Sequence, residues 1–321
     1  MTLDSKFVKF IRGISTILIL FYGVYFLLQN QNSFSRLLNI RLDILCLMIF
    51  FILINIFASA AENTILYKTL GAPIGNFESF GLTNVGAFFN LMFPQGGTIT
   101  KAIYLRQRYG IPYTKTPTMY LGLLIIYMMV GAAVILVSNL VILSTGGSIP
   151  LIFWIAAGIG CVSGIFFAID IPKWALTKPG KISTLISNFA DGWNRLRTDR
   201  NSLLRAAIWQ AIIFVSSGIW ISAAFYCLNF NINPLLGLTL SVLLSFTNIF
   251  MILPGNLGIQ EAVYGYFSLI TGMTFAEGIV VSTLIRVVLL LVTLVLTPWS
   301  WYYLFYKKNI KINRQDLISN Q

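Results

Sequence analysis

The chain has 321 residues, of which 57% are hydrophobic and only 10% charged, and its formal net charge is +12. A soluble domain carries roughly 25% charged residues, so this composition excludes an ordinary soluble protein and points to a polytopic membrane protein. Histidine is absent, which excludes a Ser-His-Asp triad and a His-based zinc site.

The apolar runs are long and do not alternate, so the spanning elements are expected to be helices. The first span covers about 10–28, behind Lys6, Lys9 and Arg12. No small-residue cleavage site follows it, so it reads as an uncleaved helix. A polar segment with Arg36 and Arg41 leads to a second span at about 44–61, which ends at Glu62-Asn63 and is followed by Lys68 and Gly71-Ala72-Pro73. From Phe80 to Tyr109 the chain is moderately apolar and is split by Pro94-Gln95-Gly96-Gly97. Each arm falls short of the roughly 20 residues that a crossing needs, so this stretch reads as a re-entrant hairpin. Arg106, Arg108 and Lys115 follow, then a third span at about 120–143, an uncharged link and a fourth span at about 151–169.

Residues of about 170–202 form the one long polar connection, rich in Lys and Arg. Within it Ile182, Leu185, Ile186, Phe189, Trp193 and Leu196 recur at helical spacing. That pattern predicts an amphipathic helix, lying in the headgroup plane or packed on the bundle. A fifth span at about 203–228 precedes a second interrupted segment, 234–272, broken at Pro254-Gly255. The last span, about 278–304, carries Arg286 and ends in an interfacial belt of Trp299, Trp301, Tyr302 and Tyr303, before Lys307, Lys308, Lys311 and Arg314. Cys46, Cys161 and Cys227 sit in apolar spans without ligand or disulfide spacing and read as small packing residues.

The two breaks share a grammar. In Pro94-Gln95-Gly96-Gly97-Thr98-Ile99-Thr100-Lys101-Ala102 and in Pro254-Gly255-Asn256-Leu257-Gly258-Ile259-Gln260-Glu261-Ala262, a charged residue stands seven positions after Pro and Ala follows. Asn90 precedes the first Pro and Asn248 the second. Paired interruptions at corresponding places in two halves point to a transport site. The expected fold is therefore all-α and polytopic. It has about six full transmembrane helices plus two re-entrant helical hairpins in an inverted repeat, as one membrane domain over residues 1–321. Repeat A covers about 44–143 and repeat B about 203–304. With the N-terminus and C-terminus cytoplasmic, nearly all Lys and Arg in the loops fall inside, as the positive-inside rule requires. The two hairpins then enter from opposite sides and their tips meet near the midplane.

Charges at membrane depth cost about 2.5–3.5 kcal/mol each on insertion scales. Lys101, Glu261, Arg286 and Glu62 are the candidates. Arg286 offers a planar fork suited to phosphate or carboxylate. In one reading Arg286 and Lys101 clamp a headgroup phosphate while Glu261 holds a cationic group or pairs with the Arg. In the other, Glu261 and Arg286 form a structural ion pair. Gly96, Gly97, Gly255 and Gly258 are expected either to leave backbone N–H groups free toward a cavity or to allow close helix packing. Asn90, Asn248, Asn256 and Gln260 add uncharged polar lining.

The run Leu253-Pro254-Gly255-Asn256-Leu257-Gly258-Ile259-Gln260-Glu261-Ala262, with Gly272 and Arg286 beyond it, resembles the signature of the lysylphosphatidylglycerol synthase transmembrane, or flippase-like, family. The Asn90, Pro94, Gly96, Gly97 and Lys101 segment resembles that family's earlier motif. The familiar pattern has more glycine where Asn256 stands and often Arg where Gln260 stands. In bifunctional members such a domain precedes a soluble aminoacyl-transferase, for which this chain leaves no room before Gln321. The resemblance thus implies the translocase half alone, moving an aminoacylated phosphatidylglycerol or a polyprenyl-phosphate sugar between leaflets of the cytoplasmic membrane.

An enzyme, a cofactor, a metal and nucleic acid are not expected. The expected partner is a membrane phospholipid or polyprenyl-phosphate lipid, with a homodimer or an enzyme of lipid or glycan synthesis as further candidates. The rival functions are a secondary transporter of a small anion and a non-transporting membrane partner of such a synthase.

Overall fold

The computed structural model describes residues 29, 31–113, 115–168, 199–247 and 253–306. The expected first span, most of the 170–202 connection, Asn248 and the basic tail lie outside the described residues. Every regular element within them is helical: α1 (Leu42–Thr69), α2 (Asn76–Met92), α3 (Gly96–Tyr109), α4 (Lys115–Ser144), α5 (Leu151–Ala168), α6 (Arg200–Cys227), α7 (Pro234–Thr247), α8 (Ile259–Ile270) and α9 (Phe275–Trp301). Four helices are long and apolar enough to cross a membrane, Leu42–Thr69, Leu123–Ser144, Arg200–Cys227 and Phe275–Tyr306. At 1.5 Å per residue the 28 residues of α1 extend about 42 Å, beyond the roughly 30 Å of a hydrocarbon core. The expected span at 44–61 is thus longer at both ends, and Glu62 lies inside the helix rather than at its close.

Antiparallel contacts organise the bundle. The Arg41 amide donates to the Cys227 carbonyl at 3.2 Å. Asn55 Nδ2 donates to the Ile213 carbonyl at 3.0 Å and to Ser217 Oγ at 2.8 Å, so α1 and α6 are stitched along their length. α7 doubles back on α6, with Gly218 against Leu238 and Gly237 against Ser222. α5 doubles back on α4, with Gly160 against Met128 and Ala132. Water gives no drive between helices in lipid, and small residues that let backbones approach supply the packing instead.

The first interrupted segment folds back on itself, with Gly86 of α2 against Gly97 of α3, and the two breaks share one local geometry. Phe93 and Leu253 are extended, as a residue before Pro must be. The residue after each Pro is left-handed, Gln95 at φ 55° and ψ 17°, Gly255 at φ 55° and ψ 21°. In the first hairpin α3 begins at once. In the second a 3₁₀ turn, Pro254–Asn256, intervenes before α8. The arms open toward opposite ends of α9. Gly81 of α2 lies against Leu304, just past the C-terminal end of α9, whereas Gly265 of α8 lies against Phe275 at its start. The turns converge at Leu91 and Gly255.

Gly97 shows how tightly the first hairpin is closed. A Cβ there would run into the Gly86 carbonyl and come within 2.8 Å of Asn90 Nδ2. The backbone of α2 has no room to retreat. Gly97→Ala is expected to cost about 1–3 kcal/mol, the usual penalty of overpacking, and to lower the unfolding midpoint in detergent. Gly75→Ala, where nothing lies within 4 Å of the added methyl, should leave that midpoint unchanged.

Candidate functional site

α9 is a run of aliphatic residues broken by one cation. Arg286 stands eleven residues after Phe275, three turns and about 16 Å along the axis. Such a charge needs an anion within reach. Glu261 supplies it: Arg286 Nε donates to Glu261 Oε1, and each side chain is only 19% exposed. Glu261 is the third residue of α8, and its other oxygen, Oε2, accepts the Gly258 amide at 2.7 Å. It therefore caps the helix and neutralises the arginine at once, and a carboxylate is favoured at a helix N-terminus.

The broken backbone is part of the same site. Arg286 Nη1 donates to the Gly255 carbonyl at 2.7 Å. A Cβ on Gly255 would sit 2.9 Å from Nη1 and 3.5 Å from Leu91 Cδ2. Its left-handed φ and the Arg286 guanidinium beside it favour glycine there. Asn256 follows at φ 57°, a conformation that Asn tolerates better than other side chains. This explains physically why Asn can stand at a glycine position. Asn256 Nδ2 donates to the Thr247 carbonyl at 2.6 Å and closes the loop, while its Oδ1 is buried without a partner. Gln260 is half-buried beside Glu261. Ser282 Oγ stands 3.5 Å from Glu261 Oε1.

A donor of the pair itself is also unmatched. Arg286 Nη2 is buried and has no hydrogen-bond partner. The guanidinium thus keeps a donor in reserve where the two hairpin turns converge.

The amides near the breaks are less open than expected. Gly96 N–H donates to the Phe93 carbonyl at 3.0 Å, and Gly97 N–H donates to Asn90 Oδ1 at 2.7 Å. With Gly258 bound to Glu261, three of the four glycines have their donors engaged inside their own turns. Gly96 and Gly97 are buried by the α2–α3 contact, so close packing describes them. Lys101 has different neighbours from Arg286. Its Cε lies 3.0 Å from where a Gly86 Cβ would be.

Residues 13–297 match the family described as the lysylphosphatidylglycerol synthase TM region. The chain belongs to that family. Comparison with curated proteins and with solved structures yields no match. The matched stretch of this lysylphosphatidylglycerol synthase TM family member contains both hairpins and the Glu261–Arg286 pair, and its long apolar helices make it a multi-pass membrane protein.

A cluster that sequence reasoning missed sits at the open end of the first hairpin. Glu78 is 2% exposed. Its Oε1 accepts from Tyr104 Oη at 2.7 Å and from Tyr109 Oη at 2.8 Å, and Arg108 Nε lies 3.3 Å away. Tyr104, Arg108 and Tyr109 share a face of α3, and Glu78 opens α2. The pairing was legible only once the two arms were known to be antiparallel. Among the described residues no group of three His, Cys, Asp or Glu side chains converges to hold a metal.

Glu261→Gln leaves a buried guanidinium without its counter-charge and should cost roughly 3 kcal/mol of stability. Adding Arg286→Leu removes the orphaned charge and should restore part of the loss. Unfolding of the single and double variants in detergent measures both steps.

Proposed function

We propose that this protein is a lipid translocase of the cytoplasmic membrane, and that Arg286 receives the phosphate of a lipid headgroup. The observation that carries the reading is the unpartnered Nη2 of Arg286, buried at mid-helix beside two broken backbones. An anionic oxygen is the natural acceptor for a guanidinium fork. Irregular backbone at membrane depth is tolerated where it lines a cavity or is buried in protein, and both breaks lie together here.

The hairpin geometry supports an inverted repeat. The left-handed residue after Pro recurs at Gln95 and Gly255, and the arms open toward opposite ends of α9. Each hairpin is read as re-entrant, one from either side. Arg36 pairs with Glu277 at 3.2 Å at the start of α9, on the end taken as external. Rocking one repeat against the other would expose the headgroup on alternate faces while its chains stay in lipid. Family membership supports a phospholipid such as phosphatidylglycerol or its aminoacylated form as cargo, with polyprenyl-phosphate sugars as the other class. The role is transport rather than catalysis.

Leaflet exchange in proteoliposomes tests the reading. Fluorescent phosphatidylglycerol, lysyl-phosphatidylglycerol and a polyprenyl-phosphate sugar are compared side by side. Exchange of one of them is expected. Glu261→Gln and Arg286→Ala should slow it roughly tenfold to a hundredfold, since a hydrogen bond to a charged group contributes about 1.5–3 kcal/mol. No exchange of any lipid by folded protein would favour a small-anion transporter or a non-transporting partner.

A further inference from the structure

Glu62 is a buried acid that the Arg286 site does not use. It stands seven residues before the end of α1, about 10 Å from that end along the axis. Its side chain is 1% exposed. Oε2 accepts a hydrogen bond from the Tyr127 hydroxyl of α4 at 3.2 Å. Oε1 is buried and has no hydrogen-bond partner.

Among the described residues, the ionisable groups that act on Glu62 are Tyr127 from α4 and Lys101 from α3. The other helices against α1 direct their charges elsewhere. On α2, Glu78 is held by Tyr104 and Tyr109. On α6, Arg205 is exposed and acts on Asp199. On α9, Arg286 is held by Glu261. Glu62 thus has one hydroxyl, one cation and one unmatched oxygen.

An ionised carboxyl only accepts hydrogen bonds, whereas a protonated one also donates. With a proton on Oε1 the acid is neutral and its attraction to Lys101 is gone. Without it, a buried charge lies beside the contact that Asn63 and Ser79 make between α1 and α2, within the field of Lys101. We propose that Glu62 is a proton-binding site, and that its proton decides how firmly α1 holds the α2–α3 hairpin through Lys101. The proton is exchanged with bulk water and no other reactant is needed. Within the translocase reading, this is where a proton gradient enters the cycle. The experiment below does not use lipid movement, so the two readings stand or fall separately.

The full chain is placed in liposomes of defined lipid composition and the infrared carbonyl stretch of protonated carboxyls is followed against pH. A titrating band is expected that Glu62→Gln removes and Glu261→Gln retains. In Lys101→Met the band should titrate at higher pH, because the cation that favours the charged form is gone. Spin labels at Phe57→Cys on α1 and Ile99→Cys on α3, both exposed positions, are introduced with Cys46, Cys161 and Cys227 replaced by Ser. They should report a separation that differs between acid and alkaline pH. Should Glu62→Gln fail to fold, the Lys101→Met titration and the label distances decide alone. A band that survives Glu62→Gln, a titration indifferent to Lys101, or a label distance indifferent to pH overturns the proposal.

Discussion

A guanidinium in the middle of an apolar helix sets the terms for its surroundings. Arg286 must meet an anion without leaving α9, so a carboxylate has to arrive from a neighbour at the same depth. Glu261 can do this because α8 begins there, and α8 begins there because Pro254 to Gly258 breaks the chain. The break in turn exposes the Gly255 carbonyl, which Arg286 also takes. Break, cap and ion pair are one arrangement, and Leu91 at the end of α2 closes it from the other hairpin. Losing any member leaves a charge or a backbone dipole unmatched in a medium that gives no substitute.

The helices around this centre are held by close approach and by short polar contacts. Gly86 faces Gly97, Gly278 faces Tyr264, and Gly218 faces Leu238. Asn55 spans α1 to α6, and Asn84 Nδ2 reaches Thr297 and Ser300 of α9, each at 3.3 Å. Ser79 donates to the Ala60 carbonyl at 2.7 Å. Apolar side chains such as Leu47, Phe50, Leu53 and Phe57 remain on the outside of α1. That outer surface differs from a soluble protein's, although the interior is likewise packed with apolar side chains such as Met48, Ile52, Phe153, Phe214 and Phe225.

Much of this was legible from sequence, and the exceptions have causes. Long apolar runs fix helices by length alone, and Pro followed by Gly forces a break wherever it stands, so the two helix breaks and the Glu261–Arg286 pair could be anticipated. Helix ends were less certain: Glu62 and Asn63 look like a terminus because polar residues usually end a span, yet buried partners let α1 run on to Thr69. The glycines of the first hairpin suggested free amides, but Asn90 lies one turn before the break and takes the Gly97 donor. Glu78 escaped notice because its partners come from the far arm, and antiparallel register is invisible in a linear reading. Gln95 in a left-handed conformation was equally hidden, since sequence favours glycine there.

α9 also acts as a ruler. Beyond Pro298 the helix widens into a π turn, Tyr302–Tyr306. Its rings stack in pairs, Trp299 on Tyr303 and Tyr302 on Tyr306, with several of them exposed. Aromatic groups of this kind settle at the headgroup boundary. Fifteen residues separate Trp301 from Arg286, about 22 Å of helix. Pinned at its aromatic end, the helix holds the ion pair at a set height above that boundary. A thicker or thinner bilayer then changes how much hydrocarbon lies on the far side of Arg286. Membrane thickness thereby becomes a mechanical input to the site, delivered through one helix.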